Sequence, residues 1–153
     1  MAHIHNLIDF TVAIFIVHKN KVLLVDHKKL KSWLPIGGHI ELHENPEEAL
    51  IREIKEECGL EVELIGGNKP DIQDNEATPL LAPLYMDIHS ANPPHQHIGL
   101  IYFGKSATNN VSLAAAEHHN FRWFTREDIK NSEYKILRLV RFYAKEALQK
   151  LSD

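Results

Sequence analysis

Between Asn45 and Gly59 the chain carries a helix whose two ends and two faces are both written in the residues. Asn45 is a good N-cap, Pro46 fits the first helical position, Glu48 completes a capping box and Gly59 is placed to cap the C-terminus. These signals predict a helix over Pro46 to Cys58. At 100° per residue Leu50, Ile51, Ile54 and Cys58 share one side, and Glu53, Glu56 and Glu57 cluster on nearly the opposite side. Ala49 lies between the glutamates, too small to fill the space before them, and Arg52 flanks the cluster. The apolar side requires a surface to cover it.

The rest of the chain supplies a sheet. Ile8 to Val17 is rich in β-branched and aromatic residues, and Lys19-Asn20-Lys21 separates it from Val22 to Val25, so the two runs predict a hairpin. A basic loop from Asp26 to Ser32 leads through Trp33-Leu34-Pro35-Ile36 to Gly37-Gly38, where the backbone can turn or approach a ligand closely. After the helix, Leu60 to Ile65 alternates as a half-buried strand, Gly66 to Pro70 breaks it, and a polar loop runs to about Pro79. Further strands are predicted over Leu80 to His89, His97 to Gly104 and Phe121 to Phe124, the first two separated by Asn92-Pro93-Pro94. Thr125 caps a short helix through Ile129, and Tyr134 to Leu151 has the apolar spacing of a helix that packs on the sheet. The pattern is α/β, a mixed sheet covered by helices.

Composition narrows the class. With 153 residues, 44% hydrophobic and 25% charged, the sequence is expected to form a single domain over 1–153 around one core. A net charge of −4 with scattered lysines and arginines argues against polymeric DNA or RNA as a partner. The longest apolar stretch, Phe10 to Val17, is too short to span a bilayer, which takes about 20 apolar residues. A lone cysteine, Cys58, and no leader-like N-terminus lead to the expectation of a reduced, cytoplasmic protein.

The glutamate triplet carries the chemistry. A solvated acidic face is the plain alternative. Yet like charges at i, i+3 and i, i+4 destabilise a helix by roughly 0.2–0.5 kcal/mol each, and Glu56 and Glu57 sit in the last turn, where the dipole disfavours an anion by about 0.3–1 kcal/mol. Both effects have the wrong sign for residues selected for stability, and a bound cation reverses both. Hard oxygen donors favour magnesium, with manganese as a substitute, over zinc.

From Gly38 to Leu60 the chain reads GHIELHENPEEALIREIKEECGL, which resembles the Nudix box, G-x5-E-x7-R-E-U-x-E-E-x-G-U with U a bulky aliphatic residue. Gly38, Glu44, Arg52, Glu53, Ile54, Glu56, Glu57, Gly59 and Leu60 match every fixed position over 23 residues. The resemblance to the Nudix hydrolases, which extends to the flanking hairpin, later strands and C-terminal helix, implies the Nudix fold, an α/β/α sandwich around a mixed sheet. It implies that Glu56 and Glu57 ligate magnesium, that Glu53 is a ligand or the base that activates water, and that Arg52 pairs with Glu44 to order the cluster. A carbonyl at Gly37 or Gly38 would complete the metal site, with Gly38 the assigned ligand. One departure is that Pro35-Ile36-Gly37-Gly38 has a residue between the proline and the glycines where P-G-G is commoner.

The implied activity is hydrolysis of a phosphoanhydride in a nucleoside diphosphate linked to another group, most simply a nucleoside triphosphate cut to monophosphate and pyrophosphate. ADP-ribose, sugar nucleotides and dinucleoside polyphosphates are alternatives, and a nucleotide sensor without activity is an alternative of another class. A small nucleotide is thus the expected partner of a monomer or homodimer. Trp33, Gly37, His39 and His97 are the candidate substrate contacts. Trp33, Tyr102 and Trp123 are otherwise read as core packing. Glu117, Glu76, His95 and His97 are candidates for a further ligand or base. Eleven histidines are many, but Pro94-His95-Gln96-His97 and His118-His119 lack zinc-site spacing and are read as surface or substrate-loop residues rather than a second metal site. Cys58, on the apolar side of its helix, is not expected to be catalytic.

Overall fold

The structure is a computed structural model that describes residues 4–153. Strand β1 (Ile8–His18) turns at Lys19 and Asn20 into β2 (Lys21–His27). Both turn residues have positive φ, 45° and 63°, the backbone twist that a two-residue hairpin connection requires. Two short strands follow, β3 (Ser32–Leu34) and β4 (Ile36–His39), then helix α1 (Pro46–Glu57) and β5 (Val62–Ile65). A long polar loop leads to β6 (Tyr85–Ser90), β7 (Gln96–Ser106) and β8 (His118–Phe124), and helices α2 (Arg126–Lys130) and α3 (Arg138–Leu151) end the chain.

One eight-stranded sheet results, with a central path β3-β2-β1-β7-β5. Its axis is the parallel pair β1 and β7, in register from Ile8↔Gln96 to Val17↔Lys105. All other pairings are antiparallel, so the sheet is mixed. Each outer edge of the central pair is shared by two strands. Along β1, the hairpin end pairs with β2 while Thr11 to Ile14 pair with β4. Along β7, β5 takes one end and β6 the other. β2 and β4 thus pair with different stretches of the same strand.

Both faces are covered, which explains the nearly continuous apolar runs. Phe15, Val17, Val22, Leu24, Ile101 and Phe103 face α3, where they pack on Tyr143, Ala147 and Leu148. The alternate residues Val12, Ile14, Ile16, Leu23, Val25 and Tyr102 face α1 and meet Ala49, Leu50, Ile54 and Cys58. The architecture is the α/β/α sandwich of a Nudix fold. Among the described residues no helix is long and apolar enough to cross a membrane.

Several boundaries differ from the sequence expectation. Gly37-Gly38, where the backbone was expected to turn or to approach a ligand closely, is strand, with Gly38 opposite Val12 and Gly37 opposite Ala13. Ile36, the residue between proline and glycines, is fully buried opposite Ile14, so the additional residue fills the core. Strand β6 begins at Tyr85 rather than Leu80, and α3 begins at Arg138 rather than Tyr134. In the latter case Arg141 reaches back to the carbonyls of Ile129, Tyr134 and Ile136, which holds the preceding segment in a non-helical path. The predicted apolar side of α1 is also narrower than expected: Ile51 is exposed.

Candidate active site

Helix α1 starts as its residues require. The Asn45 side chain accepts from the Glu48 N–H, and the Glu48 carboxylate accepts from the Asn45 N–H, a reciprocal capping box. At the other end Gly59 takes φ +66°, a conformation costly for any residue with a Cβ. With its ends set, α1 lies on the sheet beside β4 and turns Glu53 and Glu57 inward. These are not solvated: Glu53 is 6% and Glu57 4% exposed, while Glu56 remains outside. The acidic face is therefore divided, two carboxylates being buried against β4 and β8.

Arg52 orders the cluster. Its Nε donates to Glu44 Oε2 at 3.0 Å and its Nη2 to Glu44 Oε1 at 2.6 Å, a bidentate pair. Nη1 donates to Glu53 Oε1 at 2.7 Å and to Glu56 Oε2 at 3.3 Å, and Nη2 also donates to the His39 carbonyl at 2.9 Å. Glu44 is fixed in turn by the Glu41 N–H at 2.9 Å. One guanidinium thus ties the loop before α1, two glutamates of α1 and the end of β4 together. The Arg52 hydrogen bonds hold the Glu44 carboxyl below its ordinary value, and Glu44 in turn raises the Arg52 guanidinium further above its own.

Glu53 and Glu57 are pushed the other way. Burial, with the hydrogen bond to Glu57 adding to it, raises Glu53 to about 8 in spite of Arg52. Burial raises Glu57 to about 7 against the opposing Gly37 N–H, which donates to Glu57 Oε1 at 3.2 Å. Two carboxyls so placed are reluctant to ionise together, the condition that a divalent cation relieves. Gly38 lies against Glu53: a Cβ there would stand 2.2 Å from Glu53 Oε1. The absence of a side chain leaves the carboxylate its position.

Residues distant in sequence complete the site. His118, at the start of β8, is buried, and its Nε2 lies 2.7 Å from Glu57 Oε2. With Nε2–H donated to Glu57, Nδ1 carries a lone pair, and among the described residues it has no hydrogen-bond partner. Ligand atoms of Glu57, Glu117 and His118 all lie within 4.8 Å of one another. Glu57, Glu117 and His118 are grouped as donors to a divalent cation, and Glu53, Glu56 and the Gly38 carbonyl could add further hard oxygens.

The predicted site residues separate into groups. Glu44, Arg52, Glu53, Glu56, Glu57, Gly37 and Gly38 come together. Of the further candidates, Glu117 joins them, whereas Glu76 sits exposed in the long loop with its N–H bonded to Asp74. His39, His95 and His97 gather around Asp9 in a separate cluster. The Trp33 ring packs on Phe124 and Tyr134, at 5.1 and 6.4 Å between centroids. Tyr102 is buried with its hydroxyl donating to the Leu81 carbonyl. The reading of the histidine pairs as surface or loop residues is corrected for His95 and His118, both buried. His118 as a partner of Glu57 is absent from the candidates drawn from sequence. Its only local signal is the His118-His119 pair, in which His119 points outward. Cys58 is buried, and burial pushes its thiol up to about 11.

The NUDIX domain family model matches residues 8–145, and the chain belongs to that family. A hydrolase of the NUDIX family from Clostridium perfringens is 39% identical with a TM-score of 0.82, over 94% of this chain and 98% of that one. A Bacillus subtilis (strain 168) protein, provisionally named as the ADP-ribose pyrophosphatase YjhB, is 29% identical over 119 residues, 78% of this chain and 50% of its own length. The Xenopus laevis m7GpppN-mRNA hydrolase NUDT17 is 35% identical over 81 residues, 49% of this chain and 27% of that protein. The match thus spans about half the length of the first of these two relatives and less of the second.

Proposed function

We propose that the chain is a magnesium-dependent pyrophosphohydrolase acting on a nucleoside diphosphate linked to another group, most simply a nucleoside triphosphate. The observation that carries this reading is the buried Glu53 and Glu57 pair, set against a side-chain-free Gly38 and ordered by Arg52. Magnesium, or manganese in its place, would be held by Glu53, Glu56, Glu57 and the Gly38 carbonyl, and when bound supplies neutralisation of the diphosphate and a water of lowered pKa. Hydrolysis forms a bond from the water oxygen to one phosphorus as the anhydride P–O bond breaks. The departing phosphate takes the electron pair, and the water proton passes to a carboxylate. Glu53 is a ligand or that proton acceptor, since Arg52 fixes one of its oxygens and burial keeps its proton affinity near the working pH. Arg52 and Glu44 hold the carboxylates in place, which matters because small displacements of reacting groups are costly in rate. Gly37, whose N–H donates to Glu57 Oε1, flanks this arrangement as a substrate contact, whereas the His39 side chain lies in the separate cluster around Asp9.

The named activities of the relatives, on ADP-ribose and on capped mRNA, both concern a nucleoside diphosphate joined to a further group and support that substrate class. A small nucleotide substrate, a cytoplasmic setting and a monomeric or dimeric state complete the reading. The test is a phosphate-release screen with magnesium over nucleoside triphosphates, ADP-ribose, sugar nucleotides, dinucleoside polyphosphates and capped RNA, with Glu57→Gln as control. Turnover of one class that falls by orders of magnitude in the variant is the expected result. Silence on all compounds, with nucleotide binding retained, would replace the enzyme by a sensor.

A further inference from the structure

A second polar cluster lies on the opposite face of the sheet from Glu53. Strand register builds it: Asp9 of β1 pairs with His97 of β7, and His97 with His89 of β6, while Thr11 of β1 pairs with His39 of β4. Because side chains alternate along a strand, Asp9, His97, His89 and His39 share the face that Phe15, Ile101 and Phe103 present to α3. His95 joins them from the turn before β7. The His97 ring is surrounded by imidazoles, with centroids 4.8 Å from His39, 5.2 Å from His95 and 5.6 Å from His89.

We propose that Asp9, His95 and His97 form a binding site for a zinc-class divalent cation, with His39 available as a fourth ligand. The ligand atoms of the first three lie within 4.8 Å of one another, and Asp9 and His95 are buried. His95 is oriented as a ligand is. Its Nδ1 lies 3.1 Å from the Asn6 carbonyl, which leaves Nε2 directed at Asp9 Oδ2, also at 3.1 Å. A ring nitrogen bonded to a backbone carbonyl while the other meets the metal is the usual outer support of a ligating histidine. Both partners of this ring are acceptors. His39 Nε2 approaches the same Oδ2 at 3.2 Å, so one carboxylate oxygen collects two imidazole nitrogens.

The protonation of the neighbours agrees with this. Burial would raise the Asp9 carboxyl, but the His5 and Ile4 N–H groups, with His39 and His95, hold it down to about 2. Burial and the surrounding histidines lower His97 to about 4. An ionised Asp9 carboxylate beside a neutral His97 imidazole is the deprotonated pair that a metal needs. Imidazole and carboxylate together favour zinc, cobalt or nickel, in contrast to the oxygen-rich cluster on α1 that suits magnesium. The two clusters are joined by one peptide: Gly38 faces Glu53, while His39 belongs to the histidine cluster and its carbonyl accepts from Arg52.

The experiment is titration of the untagged, chelator-treated full chain with Zn2+ by calorimetry and with Co2+ by visible absorption, in excess magnesium. One tight equivalent is expected in the wild type and in Glu57→Gln, with affinity at least ~tenfold weaker in His95→Gln and His97→Gln. Nitrogen-detected imidazole spectra of the wild type, which depend on no variant, should show the ring resonances of His95 and His97 moving on zinc addition. Binding that is lost in Glu57→Gln and kept in His97→Gln, unmoved His95 and His97 resonances, or no tight equivalent would overturn the site.

Discussion

His118 Nε2 and Glu57 Oε2 stand 2.7 Å apart, both side chains buried and 61 residues apart in the chain. This contact places the first residue of β8 against the last residue of α1, and makes the histidine the support of a carboxylate assigned to the metal. Removing the ring leaves a buried acid without that partner, which costs about 1–3 kcal/mol. His118→Ala is expected to lower the melting temperature accordingly and to reduce turnover at least ~tenfold, the loss typical of an outer-shell partner. Normal kcat in a folded variant would detach His118 from the site.

Arg52→Lys tests the ordering of the cluster. Lysine keeps the charge but cannot repeat the fork that holds Glu44 while also reaching Glu53 and the His39 carbonyl. A destabilisation of about 1.5–3 kcal/mol follows from the lost charged hydrogen bonds. Turnover measured at saturating magnesium should fall as well, because added metal does not restore the carboxylate positions. Wild-type kinetics in this variant would show that the fork is dispensable.

Gly38→Ala introduces a methyl group 2.2 Å from Glu53 Oε1, so the carboxylate must move. The tip of a side chain can yield more readily than backbone, and the expected signature is a larger loss of kcat than of thermal stability. Unchanged magnesium affinity and kcat would show that Glu53 need not occupy its present position.

The pH dependence of the metal-free protein follows from Glu53 and Glu57. Both fold with raised pKa values, about 8 and about 7, so the folded state holds protons that the unfolded chain has released above its ordinary carboxyl range. Their contribution to stability is present at low pH and is lost as pH rises through these values. Burial lowers the His118 pKa, so that ring acts in the opposite direction, its contribution fading below its ordinary value. Between about pH 6.5 and 9 the carboxyls should therefore dominate, and melting temperature without metal should fall as pH rises. Glu53→Gln should flatten the slope, as should magnesium, which binds the ionised form. A slope unaltered by either would remove these two groups as its cause.

Much of the scaffold was legible because its signals are local. Asn45, Pro46, Glu48 and Gly59 act within one turn of the helix ends they define, and α1 occupies the predicted span to within one residue. The apolar run of β1 announced a buried strand, and that of β7 a strand. Less was visible where pairing decides. Ser32 to His39 became two strands because β3 pairs with β2 while β4 pairs with β1. Ile51 was placed with the core by a helical wheel that assigns angles but does not know the width of the surface facing it.

The residues by themselves determined the ends of α1, the spacing of Glu53, Glu56 and Glu57, and the apolar runs that become buried strands, since each depends on contacts at fixed short separations. Only the tertiary structure decided which glutamates lose water, that His118 supports Glu57, and that Asp9, His39, His95 and His97 meet at one end of the sheet. Those outcomes depend on the parallel register of β1 with β7 and on the pairing of β2 with β8, long-range pairings that leave no periodic trace in the segments they join.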